Sequence, residues 1–174
     1  ERKHFLIVSR LARSKKIEPV IEAFNKLGFP LVIVGSGRDE ERLRRIASPN
    51  ISFVGAPDDA RLRRYYREAR AVLFPSEEDF GMVAVEALSL GTPVIAYEHG
   101  GIREILRIGE TGEVFRSQTP EVIAEAVKRF AEKESTGGYP AEKLCESVIH
   151  FSEEAFTTAL SRRIIETGEY TSVS

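Results

Sequence analysis

Short, nearly continuous apolar runs punctuate the chain at 5–8, 31–34, 51–54, 71–74, 94–97 and 113–115. Their brevity and their content of Val, Ile and Phe mark them as strands. Between the first two runs, Ile17, Val20, Ile21, Phe24 and Leu27 recur at three- and four-residue steps, which gives a helix with one apolar face. Further helical segments fall at 39–47, 58–68, 81–90 and 101–107. Strands that lack polar alternation are covered on both faces, and strands that alternate with helices pair in parallel. The pattern predicts a doubly wound, Rossmann-like α/β domain with a parallel sheet.

The last third is helical. Thr119 is expected to cap a helix that has Pro120 at its first position and runs to residue 134. Ser135-Thr136-Gly137-Gly138-Tyr139-Pro140 interrupts it, and two more helices follow at 141–149 and, capped by Ser152, at 153–167. Phe151, Phe156, Leu160, Ile164 and Ile165 give the last segment an apolar face.

Two glutamates sit where a core-building sequence has no use for them. Glu86 lies in the run from Met82 to Leu90, which is apolar around the whole helical wheel and therefore reads as buried on most sides. A carboxylate there must find hydrogen-bond donors or be neutralised, and bound hydroxyls would serve. Glu78 precedes that helix. On one continuous helix the two would stand roughly 80° out of register and ~12 Å apart along the axis, so they can meet one ligand only if Glu78 lies in a loop. The N–H groups of Gly81, Met82 and Val83 would then open the helix and offer an anion site. The competing assignment is a surface Glu78 and a core Glu86 tied to an arginine.

The stretch from Pro75 to Ala96, with its Pro-Ser turn, Glu78, Phe80-Gly81, the helix bearing Glu86 and Gly91-Thr92-Pro93-Val94, resembles the donor-site signature of the family-four retaining glycosyltransferases, which have the GT-B fold. Val8-Ser9-Arg10-Leu11 followed by Lys15 resembles the family's Gly-Arg-Leu and downstream Lys, with Ser9 departing from the usual Gly. Gly100-Gly101-Ile102-Arg103-Glu104 resembles its second glycine loop, and Gly109 to Val114 its Gly-x-Thr-Gly turn.

The resemblance implies a nucleoside-diphosphate sugar as donor substrate, with no cofactor and no bound metal. Arg10 and Lys15 would clamp the diphosphate, Glu86 would accept the ribose hydroxyls, and Glu78 would face the transferred sugar as the catalytic carboxylate. Gly55, Pro57 and Leu62 would bound the base, while Phe80, Gly81, Met82 and Val83 complete the donor site. All these loops follow strands, and ligands of open α/β sheets bind at the carboxyl ends of the strands. Transfer of a hexose to a hydroxyl acceptor with retention is implied; mannose from GDP-mannose is the first guess, with glucosyl donors left open.

Length and composition narrow the rest. The 174 residues, 42% of them hydrophobic, suit one domain, which the resemblance implies is nucleotide-sugar-binding. A net charge of −2 offers no basic footprint for nucleic acid. Arg61-Leu62-Arg63-Arg64 reads as a solvated helix face, with peripheral membrane contact as the lesser reading. Cys145 stands alone, so neither an internal disulfide framework nor a paired Cys/His zinc site is expected. His99, the histidine nearest the proposed site, is taken as an ordinary loop residue. No apolar run approaches the length of a membrane span and no signal peptide is apparent, which suggests a cytoplasmic protein, in contact at most with the inner membrane face. Asn occurs at 25 and 50, Gln at 118 and Met at 82, a bias like that of thermophile proteins. The start at Glu1, without Met and directly before a strand, suggests a domain cut from a longer protein. Its missing N-terminal part would bind an acceptor glycan or lipid, and the helix within 151–174 could cross to it.

Three rivals remain. A noncatalytic sugar-nucleotide-binding subunit and a GT-B epimerase or phosphorylase would share this architecture. A dinucleotide-binding dehydrogenase is disfavoured, because Gly35-Ser36-Gly37 leads to Glu40 where a small residue should close the fingerprint.

Overall fold

The computed structural model describes residues 2–151. Six strands form one sheet: β1 (His4–Val8), β2 (Leu31–Val34), β3 (Ile51–Phe53), β4 (Ala69–Phe74), β5 (Val94–Tyr97) and β6 (Gly112–Phe115). Their order is β3-β2-β1-β4-β5-β6 and every pairing is parallel. All six expected strands are present, and the doubly wound sheet is the observed architecture. The unalternating runs are explained by two-sided cover: Phe5, Leu6, Ile7, Ala71, Val72, Leu73, Val94, Ile95 and Ala96 are all buried.

Among the described residues seven α-helices flank the sheet: α1 (Ile17–Leu27), α2 (Glu40–Ile46), α3 (Asp59–Glu68), α4 (Met82–Ser89), α5 (Ile102–Ile105), α6 (Pro120–Ser135) and α7 (Ala141–Ser147). One layer is built by α1 against α2 and α6, the other by α4 against α5 and α7. On α1 the buried residues are Ile17, Val20, Ile21, Ala23 and Phe24, the face read from the sequence. Asp58 caps α3 by accepting a hydrogen bond from the Arg61 N–H at 2.8 Å.

Thr119 stands at the N-cap of α6 with Pro120 in its first turn, as expected, although the Thr119 side chain makes no capping bond. Two helical expectations are corrected. The helix expected at 101–107 ends at Ile105, and the Arg107 N–H instead donates to Thr111 Oγ1 at 2.9 Å as the chain turns into β6. The segment expected as one helix at 141–149 stops at Ser147, and a 3-10 turn (Ile149–Phe151) follows. The helix expected at 153–167 lies outside the described residues.

Phe5 on β1 fastens the α1–α6 layer to the sheet. Its ring lies 5.2 Å from Phe24, 5.8 Å from Phe29 and 5.9 Å from Phe130. The Arg70 guanidinium covers it at 4.7 Å while pairing with Glu134 of α6 at 2.7 Å. Truncating Phe5 removes the common partner of α1 and α6. Phe5→Ala is expected to cost about 3–5 kcal/mol of unfolding free energy, measured as a drop in the urea midpoint with an unchanged slope.

Candidate functional site

The strand order reverses between β1 and β4: β2 and β3 are added on one side of β1, and β5 and β6 beyond β4 on the other. Loops leaving the carboxyl ends of these two strands therefore diverge and leave a crevice, where ligands of such sheets bind. The β1 loop carries Ser9, Arg10 and, in a 3-10 turn (Arg13–Lys15), Lys15. The β4 loop carries Ser76, Glu78 and Phe80.

Lys15 and Glu78, 63 residues apart, meet across the crevice. Lys15 Nζ donates to Glu78 Oε1 at 2.7 Å, and Ser76 Oγ donates to the same oxygen at 2.9 Å. The side chains of the pair are 25% and 30% exposed, dry enough to be ordered and open enough for a ligand to reach. Pairs of this exposure add at most about 1 kcal/mol to stability, so their placement is not explained by folding energy. Arg10 is exposed and its guanidinium bonds to no other described residue.

Glycines hold these loops together. A Cβ on Gly35 would lie 1.9 Å from the Ser9 carbonyl oxygen, so the β2 loop can press against the β1 loop only with glycine there. Gly35-Ser36-Gly37 thus braces the segment that carries Arg10, and the Leu11 N–H donates to the Ser36 carbonyl at 2.9 Å. Gly101 has the same part opposite. Its Cβ would fall 2.0 Å from the Asp79 carbonyl oxygen, and its N–H donates to the Glu78 carbonyl at 3.0 Å. The two glycine loops behind the crevice fix the backbones of the charged loops in front of it.

Helix α4 begins after Gly81, whose φ is 61°. The N–H groups of Gly81, Met82 and Val83 make no hydrogen bond with other described residues, the N–H groups of Ala84 and Val85 being the first to turn back, onto the Gly81 carbonyl. Uncommitted donors at a helix start, aided by the helix dipole, suit an anion. A cavity of about 420 Å³ opens there, lined by Glu77, Glu78, Asp79, Phe80, Gly81 and Met82. Phe80 and Met82 are 79% and 61% exposed.

Glu86 is not buried. The expectation of a helix enclosed on most sides is overturned, because Ala84, Ala87 and Leu88 alone are buried while Met82, Glu86 and Ser89 are exposed. One face of α4 packs inward and the rest forms a wall. Among the described residues no arginine binds Glu86; the buried Tyr66 hydroxyl of α3 donates to Glu86 Oε2 at 2.8 Å. Burial, and then the neighbouring carboxylate, hold the Tyr66 phenol well above the usual tyrosine range, so it stays a donor. Asp59, Leu62, Arg63, Tyr66, Glu86, Ser89 and Leu90 surround a second cavity, of about 340 Å³.

The structure thus gathers Glu78, Phe80, Gly81 and Met82 at one cavity, Lys15 against Glu78, and Leu62 with Glu86 at the other. Gly55, Pro57 and Val83 line neither. The Gly55 carbonyl accepts from the Gly35 N–H at 2.6 Å, and Pro57 and Val83 are half-buried. His99 is exposed and stacks on Tyr97 at 5.3 Å. Arg61, Arg63 and Arg64 are exposed, the last bonded to Glu68 at 2.8 Å. Among the described residues no three His, Cys, Asp or Glu side chains cluster as a metal site, and no helix is long and apolar enough to cross a membrane. Tyr66 went unmarked in the sequence, and Ser76 was noted only as part of the Pro-Ser turn, with no role of its own. The Tyr-Tyr pair closing an arginine-rich helix and the Ser two residues before Glu78 were the available signals.

Comparison with known proteins agrees with this geometry. The chain is 34% identical over 139 residues to an uncharacterized glycosyltransferase of Methanocaldococcus jannaschii, covering 74% of this chain and 36% of that protein. It is 38% identical over 113 residues to a phosphatidyl-myo-inositol mannosyltransferase of Mycobacterium leprae, covering 62% and 29%. The chain thus spans about a third of the length of these relatives. The solved sucrose-phosphate synthase of Thermosynechococcus elongatus superposes with a TM-score of 0.80 and 28% identity, over 96% of this chain and 46% of that one. The family model for glycosyl transferases group 1 matches residues 1–150, and the chain belongs to that family, with the Rossmann-like architecture of GT-B glycosyltransferases.

Proposed function

We propose that this chain is the donor-binding part of a retaining glycosyltransferase, holding a nucleoside-diphosphate sugar in the crevice between β1 and β4. The observation that carries the reading is the Lys15–Glu78 pair, one charge from each side of the strand-order reversal, beside the uncommitted N–H groups of α4. A diphosphate offers Lys15 a second anionic partner. Arg10, free of other partners among the described residues, and the N–H groups of Gly81, Met82 and Val83 offer it further donors. Glu78 then turns to the hydroxyls of the transferred sugar.

The chemistry follows from charge. As the bond from the anomeric carbon to the donor phosphate breaks, its electrons pass to the diphosphate, and Arg10, Lys15 and the helix start offset the growing negative charge. Glu78 orients the sugar while the acceptor hydroxyl attacks from the face that the leaving group vacates and gives its proton to the departing phosphate oxygen. Glu86 takes the ribose hydroxyls, and Leu62 in the same cavity bounds the base, with Gly55 and Pro57 behind it. No step calls on a metal or cofactor.

The sugar is a hexose in this reading. Mannose is supported by the name of the mycobacterial relative alone, whereas the superposed synthase makes sucrose phosphate by its name. The acceptor, a glycan or lipid, would be held by a domain outside this chain, with the protein working in the cytoplasm or against the inner membrane face. The relatives are about three times as long as the matched segment, which leaves room for that domain.

The decisive measurement is calorimetric titration with UDP, GDP and ADP, and with the matching nucleosides. Arg10→Ala and Lys15→Ala should each weaken the diphosphate by about 1.5–3 kcal/mol and hardly change the nucleoside. Equal losses on both ligands would remove the phosphate assignment. Lys15→Ala should be the more damaging, because it also leaves Glu78 as an unpaired negative charge at the phosphate site.

The two glutamates should separate. Glu86→Gln is expected to weaken bare nucleoside diphosphate roughly 10- to 100-fold. Glu78→Gln should bind that ligand at least as well as wild type, since Lys15 no longer has a competing carboxylate, and should lose affinity for the sugar nucleotide. The reverse pattern would exchange their roles.

Residues 1–174 alone should bind donor and transfer nothing, because acceptor positioning can supply roughly 7–11 kcal/mol of barrier lowering. Robust turnover by this chain in a radiolabelled-sugar assay would refute the division of labour.

A further inference from the structure

We propose that Tyr66 is a positioning residue: its buried hydroxyl, bonded to Glu86 Oε2, aims the Glu86 carboxylate at the ribose of the donor. The inference rests on the reading of Glu86 as the ribose acceptor and adds the device that makes it selective.

Glu86 stands exposed on α4, on a side chain with three rotatable bonds. Left alone it would sample several rotamers, and two vicinal hydroxyls need a carboxylate held in one plane. The 2.8 Å bond from Tyr66 supplies that constraint. It occupies one acceptor direction of Oε2 and leaves both directions of Oε1 and one of Oε2 open to the ligand. The phenol is a dependable donor, because burial and the carboxylate both oppose its ionisation.

Tyr66 is itself held. Its carbonyl accepts from Thr92 Oγ1 at 2.7 Å, and the Thr92 N–H donates to the Ala87 carbonyl at 2.9 Å, one residue beyond Glu86. A closed circuit thus runs from α3 through Gly91-Thr92-Pro93 to α4 and back through Glu86. Tyr66 is 2% exposed and Thr92 0%. Neither presents enough surface to hold a nucleotide itself, so their effect on the ribose is exerted through the carboxylate. Leu62 and Asp59, earlier on α3, line the same cavity as Glu86, and the circuit fixes that whole wall relative to α4.

The test compares ribonucleoside diphosphates with their 2′,3′-dideoxy counterparts, using GDP and UDP pairs, by calorimetry on the protein and its variants. Wild type should prefer the ribo form, and Glu86→Ala should abolish that preference. Tyr66→Phe, which keeps the ring and removes the donor, should weaken the ribo ligand about 5- to 10-fold and leave the dideoxy ligand unchanged. In a Glu86→Ala background it should add nothing. Thr92→Val, which frees Tyr66 from its anchor, should give a smaller loss that is again confined to the ribo ligand.

If Glu86→Ala abolishes the preference but neither Tyr66→Phe nor Thr92→Val produces a ribose-selective loss, the positioning inference is overturned and the ribose reading stands. Persistence of the Tyr66→Phe effect without Glu86 overturns it equally. If Glu86→Ala leaves the preference intact, the ribose reading falls and takes this inference with it.

Discussion

The reversal of strand order between β1 and β4 is the constraint on which the rest depends. A sheet that grew in one direction would direct successive loops along one line. Here the loops after β1 and β4 part, and the charges they carry face each other across a gap that the backbone does not fill. Lys15 and Glu78 span it. Because both side chains stay partly in contact with water, the pair holds the crevice in register without sealing it. The same contact serves the proposed chemistry, since Lys15 is held at the crevice by Glu78 and can take a phosphate as a second partner.

Rigidity comes from behind. Glycine loops after β2 and β5 press on the backbones of the loops that bear Arg10 and Glu78, at distances that a side chain would forbid. The charged residues are therefore displayed on braced segments, which limits the ordering entropy that a ligand must overcome. The division is consistent across the site, with buried or close-packed groups setting the geometry and exposed groups left free to bind. Tyr66 and Glu86 repeat it on a smaller scale.

The fold was legible because its signals were local. Runs such as Leu31–Val34 and Ala71 to Phe74 lack alternation, and only a sheet covered on both faces accounts for that. The glutamate pair, the basic residues after the first strand and the glycine loops were also legible as motifs at strand ends. Contacts between distant segments were not. Lys15 meets Glu78 only because β1 and β4 are neighbours, and the sequence alone does not state strand order. Glu86 was read as buried because the helical wheel counts apolar residues without saying how many of its sides are covered. On α4 the alanines and Leu88 face inward, while Met82 lies open beside a cavity. The two shortened helices, at 101–107 and 141–149, ended where side-chain and backbone bonds of the following turns displaced the helical ones, a competition that periodicity does not register.

An apolar helix that turns one face to the core and another to a cleft has a particular consequence for the carboxylate it carries. Enclosed in the core, Glu86 would need an arginine to offset its charge, and that pairing would consume the acceptor directions that a ligand needs. Water meets most of the charge here, and a single neutral donor sets the orientation. A neutral donor leaves the carboxylate its full negative charge, and a hydroxyl donates more strongly to an ionised acceptor than to a neutralised one. Exposure of Glu86, which the wheel did not foresee, is thus the arrangement that the proposed ribose role requires, and the burial of Tyr66 beneath it keeps that exposure from becoming disorder.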